Sequence, residues 1–370
     1  MDERNEVKKQ KKIKYFDYSL LIIILTVVFF GLVMLYSTSS YNGQLKFGDN
    51  AYFLKKQLIA VAVGIVGMLI TTLIPYRVWD KLSFAIYLLA IVLCIAVLFI
   101  GRDINGSKRW IYFGSVSFQP SELAKIAVIL YLASVICRHD KHLDSLKNIS
   151  KILLRIAPLF LVVAYENLST GIIIAGIAFV MLFVASPKYS HFLWIIVIAA
   201  GAMGAFLLVA SYRVERIRVW LHPEDYERGY QTLQGLYAIG SGGVFGKGLG
   251  ESMQKLGFVP EAQNDMIFTI ICEELGLFGA VCVILMFILM LWRFMIIANN
   301  APDLYGTLIV VGILAHIALQ VLLNIAVVTN TIPNTGIILP FISYGGTSIS
   351  ILLAEMGLAL SVSRGIVFEG

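Results

Sequence analysis

Asp265 is the side chain with the clearest chemical potential in this sequence. It stands in the stretch 258–276, where a polar loop meets a long apolar run. Pro260 and Glu261 precede it, and Met266, Ile267 and Phe268 follow. A carboxylate deep in hydrocarbon costs about 2.5–3.5 kcal/mol on insertion scales, and less near the interface. Two readings explain an acid here. It caps the helix, satisfying orphan N–H groups, or it serves as a base at the rim of a membrane-embedded site.

Other groups have types and spacings that suit anionic ligands. Glu122 and Lys125 share one helix face at i, i+3. They form an internal pair or clamp a phosphate. Lys108 and Arg109 lie beside Trp110, Tyr112 and Phe113, a composition suited to a segment on the outer leaflet. Arg213 and Arg216 are a helical turn apart, and guanidinium pairs grip phosphates well. The alternative for both basic groups is contact with ordinary headgroups. The stretch 239–250 holds six glycines, which implies backbone close to another element or a tight re-entrant path. It is no P-loop, because no Ser or Thr follows Lys247. Glu273 and Glu274 fall about 12–13 Å beyond Asp265 on a continuous helix, where structural pairing is expected. His316, Gln320 and Asn324 make one polar stripe, the pattern of interhelical hydrogen bonding. The prolines and glycines of 333–348 forbid a continuous helix, so this segment is expected to line a cavity.

The elements that must position these groups are membrane spans. Of 370 residues 59% are hydrophobic and 14% charged, far from a soluble domain at about 45–50% and 25%. Ten apolar runs are long enough to cross: 17–37, 57–75, 82–100, 121–137, 152–165, 169–186, 191–211, 266–292, 304–328 and 346–363. The fold class is therefore all-α and polytopic. Residues 1–16 form a basic cytoplasmic segment, and 17–370 form a single transmembrane domain. Lys and Arg concentrate beside alternate loops, placing both termini in the cytoplasm and the large loop 212–265 outside. The Lys8, Lys9, Lys11, Lys12 and Lys14 cluster suits anionic headgroups. The first run lacks a small-residue cleavage site and is expected to remain as a span. The four cysteines lie in or at the ends of apolar runs, so neither a disulfide framework nor a metal site is expected. Net charge of +6 sits beside the spans and does not point to nucleic acid.

Together these stretches resemble the SEDS family, the FtsW, RodA and SpoVE group of cell-wall polymerases. The matching pieces are Gly106-Ser-Lys-Arg-Trp-Ile111, Gln119-Pro-Ser-Glu122, Gly229-Tyr-Gln231, Ser241-Gly-Gly243 with Gly246-Lys-Gly248, Pro260-Glu-Ala262 with Asp265, Glu273-Glu-Leu-Gly276, and Leu339-Pro-Phe-Ile-Ser-Tyr-Gly-Gly346. The resemblance implies a cytoplasmic-membrane peptidoglycan glycosyltransferase for division or cell shape. It implies lipid II as substrate, with a class B penicillin-binding protein and division or elongation proteins as partners. The family's catalytic aspartate falls on Asp265. Arg109, Glu122, Lys125, Arg213, Arg216, Gln231 and Lys247 are the implied substrate-binding candidates. No cofactor is certain. A divalent cation, Mg or Mn, is compatible with the leaving group, although the sequence offers no dedicated cage of carboxylates. Gln263, Asn264 and Met266 depart from the family's pattern around the aspartate, and Glu166-Asn-Leu-Ser-Thr-Gly171 departs at another motif. The balance leans to the FtsW and SpoVE side. The competing expectations are a flippase for lipid-linked precursors and a non-catalytic scaffold for a transpeptidase.

Overall fold

The computed structural model describes residues 12–104, 107–113, 116–139, 143–197, 201 and 217–369. Apolar runs become helices because a backbone in lipid must satisfy its own polar groups. Among the described residues nine helices are long and apolar enough to cross a membrane. They are α1 (Tyr18–Phe47), α2 (Tyr52–Leu73), α3 (Tyr76–Ile100), α4 (Pro120–His139), α5 (Leu146–Glu166), α6 (Leu168–Ala185), α8 (Ile267–Asn299), α9 (Leu304–Val328) and α10 (Gly346–Gly365). A shorter helix, α7 (Tyr230–Ser241), lies in the long loop. The seventh expected run, 191–211, lies mostly outside the described residues; 190–197 is helical.

Several helices outrun their apolar cores. The first run ends at 37 by hydropathy, yet α1 continues to Phe47 and stops where Gly48 adopts a left-handed cap. Its last turns are polar but still helix-compatible. Asp17, Asn167 and Asp303 cap α1, α6 and α9 through their side chains. Asn167 alone separates α5 from α6, so these two form a tight hairpin.

Small strands qualify the all-α expectation. β1 (Lys12–Lys14) pairs antiparallel with β5 (Val367–Glu369), which joins the two ends of the chain. Beside them Arg293 grips the buried Asp17 at 2.7 Å. The segment expected on the outer leaflet holds three antiparallel strands, β2 (Arg102–Ile104), β3 (Ser107–Phe113) and β4 (Val116–Phe118), in that order.

Helix α4 is the centre of the bundle: 83% of its spanning window is buried, against 28% for α2. Helix α2 packs lengthwise on α10 through hydroxyls. Thr71 donates to the carbonyl of Ala354 at 2.8 Å and Ser350 to that of Ala60 at 2.8 Å, the small-residue contact typical of helices in lipid.

Helix α8 is broken. Gly276 has φ 66° and ψ −164° within it, a conformation that glycine alone adopts without strain. The glycine-rich loop fills the break. Leu277 and Phe278 donate their N–H groups to the carbonyls of Gly243 and Val244, while Lys247 and Gly248 donate to those of Glu273 and Glu274. Side chains would prevent this approach. A Cβ on Gly242 would lie 1.9 Å from the carbonyl oxygen of Cys272, and one on Gly246 2.1 Å from that of Glu274.

Candidate active site

Asp265 lies in a turn just before α8, at the end of the bundle away from the paired termini. It does not cap the helix. Met266 is the cap residue and no side chain bonds the first turn there. The Asp265 side chain is 9% exposed, and its Oδ1 is buried without a hydrogen-bond partner. Burial pushes the carboxyl up to about 7; its own amide opposes this, and the charge of Glu261 adds to it.

Four elements hold the turn in place. Gln263 accepts from Asn42 of α1 at 3.2 Å through its side chain and from the Tyr344 N–H at 2.9 Å through its carbonyl. Gln231 of α7 donates to the Pro260 carbonyl at 3.2 Å and accepts from Asn334 at 3.0 Å. Asn324 of α9 donates to the Asp265 carbonyl at 2.8 Å. Glu261 itself sits at φ 54° and accepts from Asn264.

The facing wall is the segment 333–345, which has no helix and little other regular structure. Its backbone groups find side-chain partners, as irregular backbone at membrane depth requires. Ser169 donates to the carbonyl of Thr335, Asn324 to that of Ile337, Gln320 to that of Ile338 and Gln57 to that of Ser343. Gly336, at φ 68°, borders the aspartate: a Cβ there would stand 3.8 Å from Asp265 Oδ2, in ordinary contact.

Behind this wall runs a buried polar chain across α10, α4 and α9. Ser348 donates to Glu122 at 2.8 Å, and Glu122 pairs with Lys125 at 2.9 Å. Lys125 donates to Gln320 Oε1 at 3.1 Å, the atom that also meets His316 Nε2 at 2.9 Å. His316 Nδ1 lies 2.9 Å from the Glu355 carboxylate. Gln320 uses its amide nitrogen on Ile338, so Oε1 is the acceptor and His316 Nε2 carries a hydrogen.

The remaining candidates are dispersed. Arg109 donates to the carbonyl of Glu166 at 3.2 Å, tying β3 to the α5–α6 hairpin. Lys247 pairs with Glu273 at 2.6 Å. Arg213 and Arg216 lie outside the described residues. Glu122 and Lys125 are almost fully enclosed, at 6% and 2% exposure, and hold each other. Sequence reasoning did not single out Gln57, Ser169 or Asn334, whose roles depend on contacts across hundreds of positions. It also passed over His222, Glu224 and Asp225, exposed side chains whose ligand atoms lie within 4.8 Å of one another. A trio of exposed acidic and imidazole groups is common without an ion.

The raised carboxyl has a consequence for pH. The folded protein holds this proton up to about pH 7, whereas an unfolded chain releases it near 3.9. Stabilisation from protonation is therefore complete below the unfolded value and is lost as pH rises through the folded one. Thermal unfolding in detergent between pH 4 and 8 should show Asp265→Asn gaining stability over wild type as pH rises. A difference that stays constant would show that the carboxyl titrates normally.

Comparison with known proteins gives one consistent picture. Residues 18–366 match the family model for cell cycle proteins of the FTSW_RODA_SPOVE type. Stage V sporulation protein E of Bacillus subtilis (strain 168) is 40% identical over 357 residues, covering 94% of this chain and 97% of that protein. The probable peptidoglycan glycosyltransferase FtsW of Trichlorobacter lovleyi is 36% identical over 369 residues, covering 97% and 96%. Among solved structures, a chain from a peptidoglycan synthase complex that coordinates polymerization and crosslinking superposes with TM-score 0.79 at 25% identity, covering 94% of this chain and 98% of that one. The rod shape determining protein RodA of Thermus thermophilus superposes with TM-score 0.67 at 26% identity, covering 94% and 97%.

Proposed function

The chain belongs to the FtsW, RodA and SpoVE family, and from that premise we propose that it polymerises lipid II into glycan strands with Asp265 as general base. It is a multi-pass protein of the cytoplasmic membrane and a peptidoglycan glycosyltransferase. The observation that carries the assignment of the base is the Asp265 carboxyl, buried, with Oδ1 lacking a hydrogen-bond partner and Oδ2 beside Gly336.

In this reading the 4-hydroxyl of an acceptor GlcNAc attacks the anomeric carbon of a donor MurNAc. Asp265 takes the hydroxyl proton as the new glycosidic bond forms. The bond to oxygen breaks on the opposite face, and undecaprenyl pyrophosphate leaves with inversion. A carboxyl near 7 is well matched to this work, because a base is most effective when its pKa lies near the working pH. Arg213 and Arg216 are our candidates to neutralise the departing pyrophosphate. Gln231 supports the aspartate's turn, and the Glu122–Lys125 pair supports the wall behind it. The distribution of basic residues beside the spans supports a position for Asp265 at the outer face.

A crosslinking partner fits the synthase complex that contains a structurally similar chain, and we read that partner as a class B penicillin-binding protein. The test is reconstitution of the purified protein with lipid II, alone and with a cognate transpeptidase. A ladder of glycan products insensitive to moenomycin is expected. Movement of lipid II between leaflets without any polymer would instead make the protein a flippase.

A further inference from the structure

We propose that Asn324 is a positioning residue for Asp265, the amide that ties the aspartate's own backbone to the facing wall beside Gly336. This rests on the reading of Asp265 as the base. Asn324 is fully buried on α9. Its Nδ2 donates to the Asp265 carbonyl at 2.8 Å and to the Ile337 carbonyl at 2.7 Å. These two carbonyls belong to the two segments that flank the aspartate's carboxylate, and Ile337 adjoins Gly336, which borders Oδ2.

The orientation of the amide is fixed by its surroundings. Turned over, it would point its oxygen at two carbonyls. As it stands, both N–H groups are used and Oδ1 is buried without a partner. Buried polar atoms are rarely left so. The amide thus bridges the two backbones at Asp265 and Ile337, where the nearest direct bond between them is that of the Tyr344 N–H to the Gln263 carbonyl. Gln320, one turn earlier, repeats the arrangement at Ile338 and is locked in turn by Lys125 and His316. The stripe on α9 is thus a rail, and Asn324 is its contact with the base.

Loss of the bridge should let the turn relax. A displacement of about 1 Å in a reacting group can lower a rate on the order of 10²-fold. The carboxyl would also gain water, and its burial would no longer hold its proton as tightly. Glu261 is the charged group whose field acts on it, and that group is unaffected by the change.

The experiment is glycan polymerisation by reconstituted Asn324→Leu and Asn324→Ser with lipid II across pH 5–9. For Asn324→Leu we expect kcat to fall on the order of 10²-fold with KM for lipid II little changed, and the acid limb of the kcat profile to move to lower pH. Asn324→Ser keeps one donor and should fall between the leucine variant and wild type in both readouts. Should Asn324→Leu fail to fold, the serine variant carries the test alone. A loss that tracks only the amount of folded protein, with the acid limb unmoved, would make Asn324 merely structural and overturn the proposal. Asp265→Asn measured in parallel separates the two readings: if it retains activity, the base assignment fails. The positioning claim then stands or falls on whether Asn324→Ser weakens the pH dependence of thermal unfolding.

Discussion

Asp265→Asn should leave a well-folded protein that makes no detectable glycan. The substitution keeps the shape of the side chain and removes only its capacity to take a proton. A positioned base contributes about 10²–10⁴ in rate, so the ladder should fall below detection in a standard assay. Folding should not suffer. Oδ1 makes no hydrogen bond that the amide would lose, and a neutral group is easier to bury than a carboxylate. Normal lipid II binding without product is the expected signature. Normal glycan synthesis by Asp265→Ala would exclude the assignment, because alanine cannot accept a proton by any route.

The second large effect concerns stability. Lys255→Met should unfold or severely weaken the protein, by about 3–5 kcal/mol, the usual result of stripping one partner from a buried ion pair. Lys255 and Glu274 meet at 2.7 Å with 6% and 0% of their side chains exposed. Ser37 of α1 joins them, donating to Glu274 at 2.7 Å and accepting from Lys255 at 3.1 Å. One small cluster thus links α1, the glycine-rich loop and the broken helix. Removing the lysine strands a carboxylate in the interior. The double change Lys255→Met with Glu274→Gln should recover most of the loss, as neutral replacements of buried pairs often do. Thermal unfolding in detergent of both single variants and the double one checks this, and additive losses would refute it. Lys247→Met should do less harm. Lys247 is 35% exposed, and Glu273 retains Ser252, Ser241 and the N–H groups of Met253 and Gln254.

The sequence makes the spans legible because a crossing helix needs about twenty apolar residues, and few other constraints produce such runs. It also marks the polar stripe of His316, Gln320 and Asn324 as interhelical, which the bonds to Glu355, Lys125 and the 337–338 backbone bear out. The six glycines of 239–250 signal close backbone, and the wrap around Gly276 is that contact. What was not legible is the identity of partners. Helical arithmetic puts Glu273 and Glu274 beyond Asp265 on one rod, but it cannot see that the rod ends at Gly276. Nor can it see that loop lysines many positions upstream turn back to neutralise them. The pair Glu122 and Lys125 shows the same limit. Their i, i+3 spacing allows an internal pair or a phosphate clamp, and only the enclosure by Gln320 and Ser348 shows that they face protein.

The lengthwise packing of α2 on α10 has a consequence for how the protein is made. The ribosome delivers α2 long before α10. Until then the Thr71 hydroxyl can bond only within its own helix, to the carbonyls of Gly67 and Met68. Strand β5 likewise reaches β1 only after α10 has emerged. A nascent chain that stalls before α10 therefore lacks both the clasp and the lining of its second helix, and it offers the cell's quality control a clear mark of incompleteness.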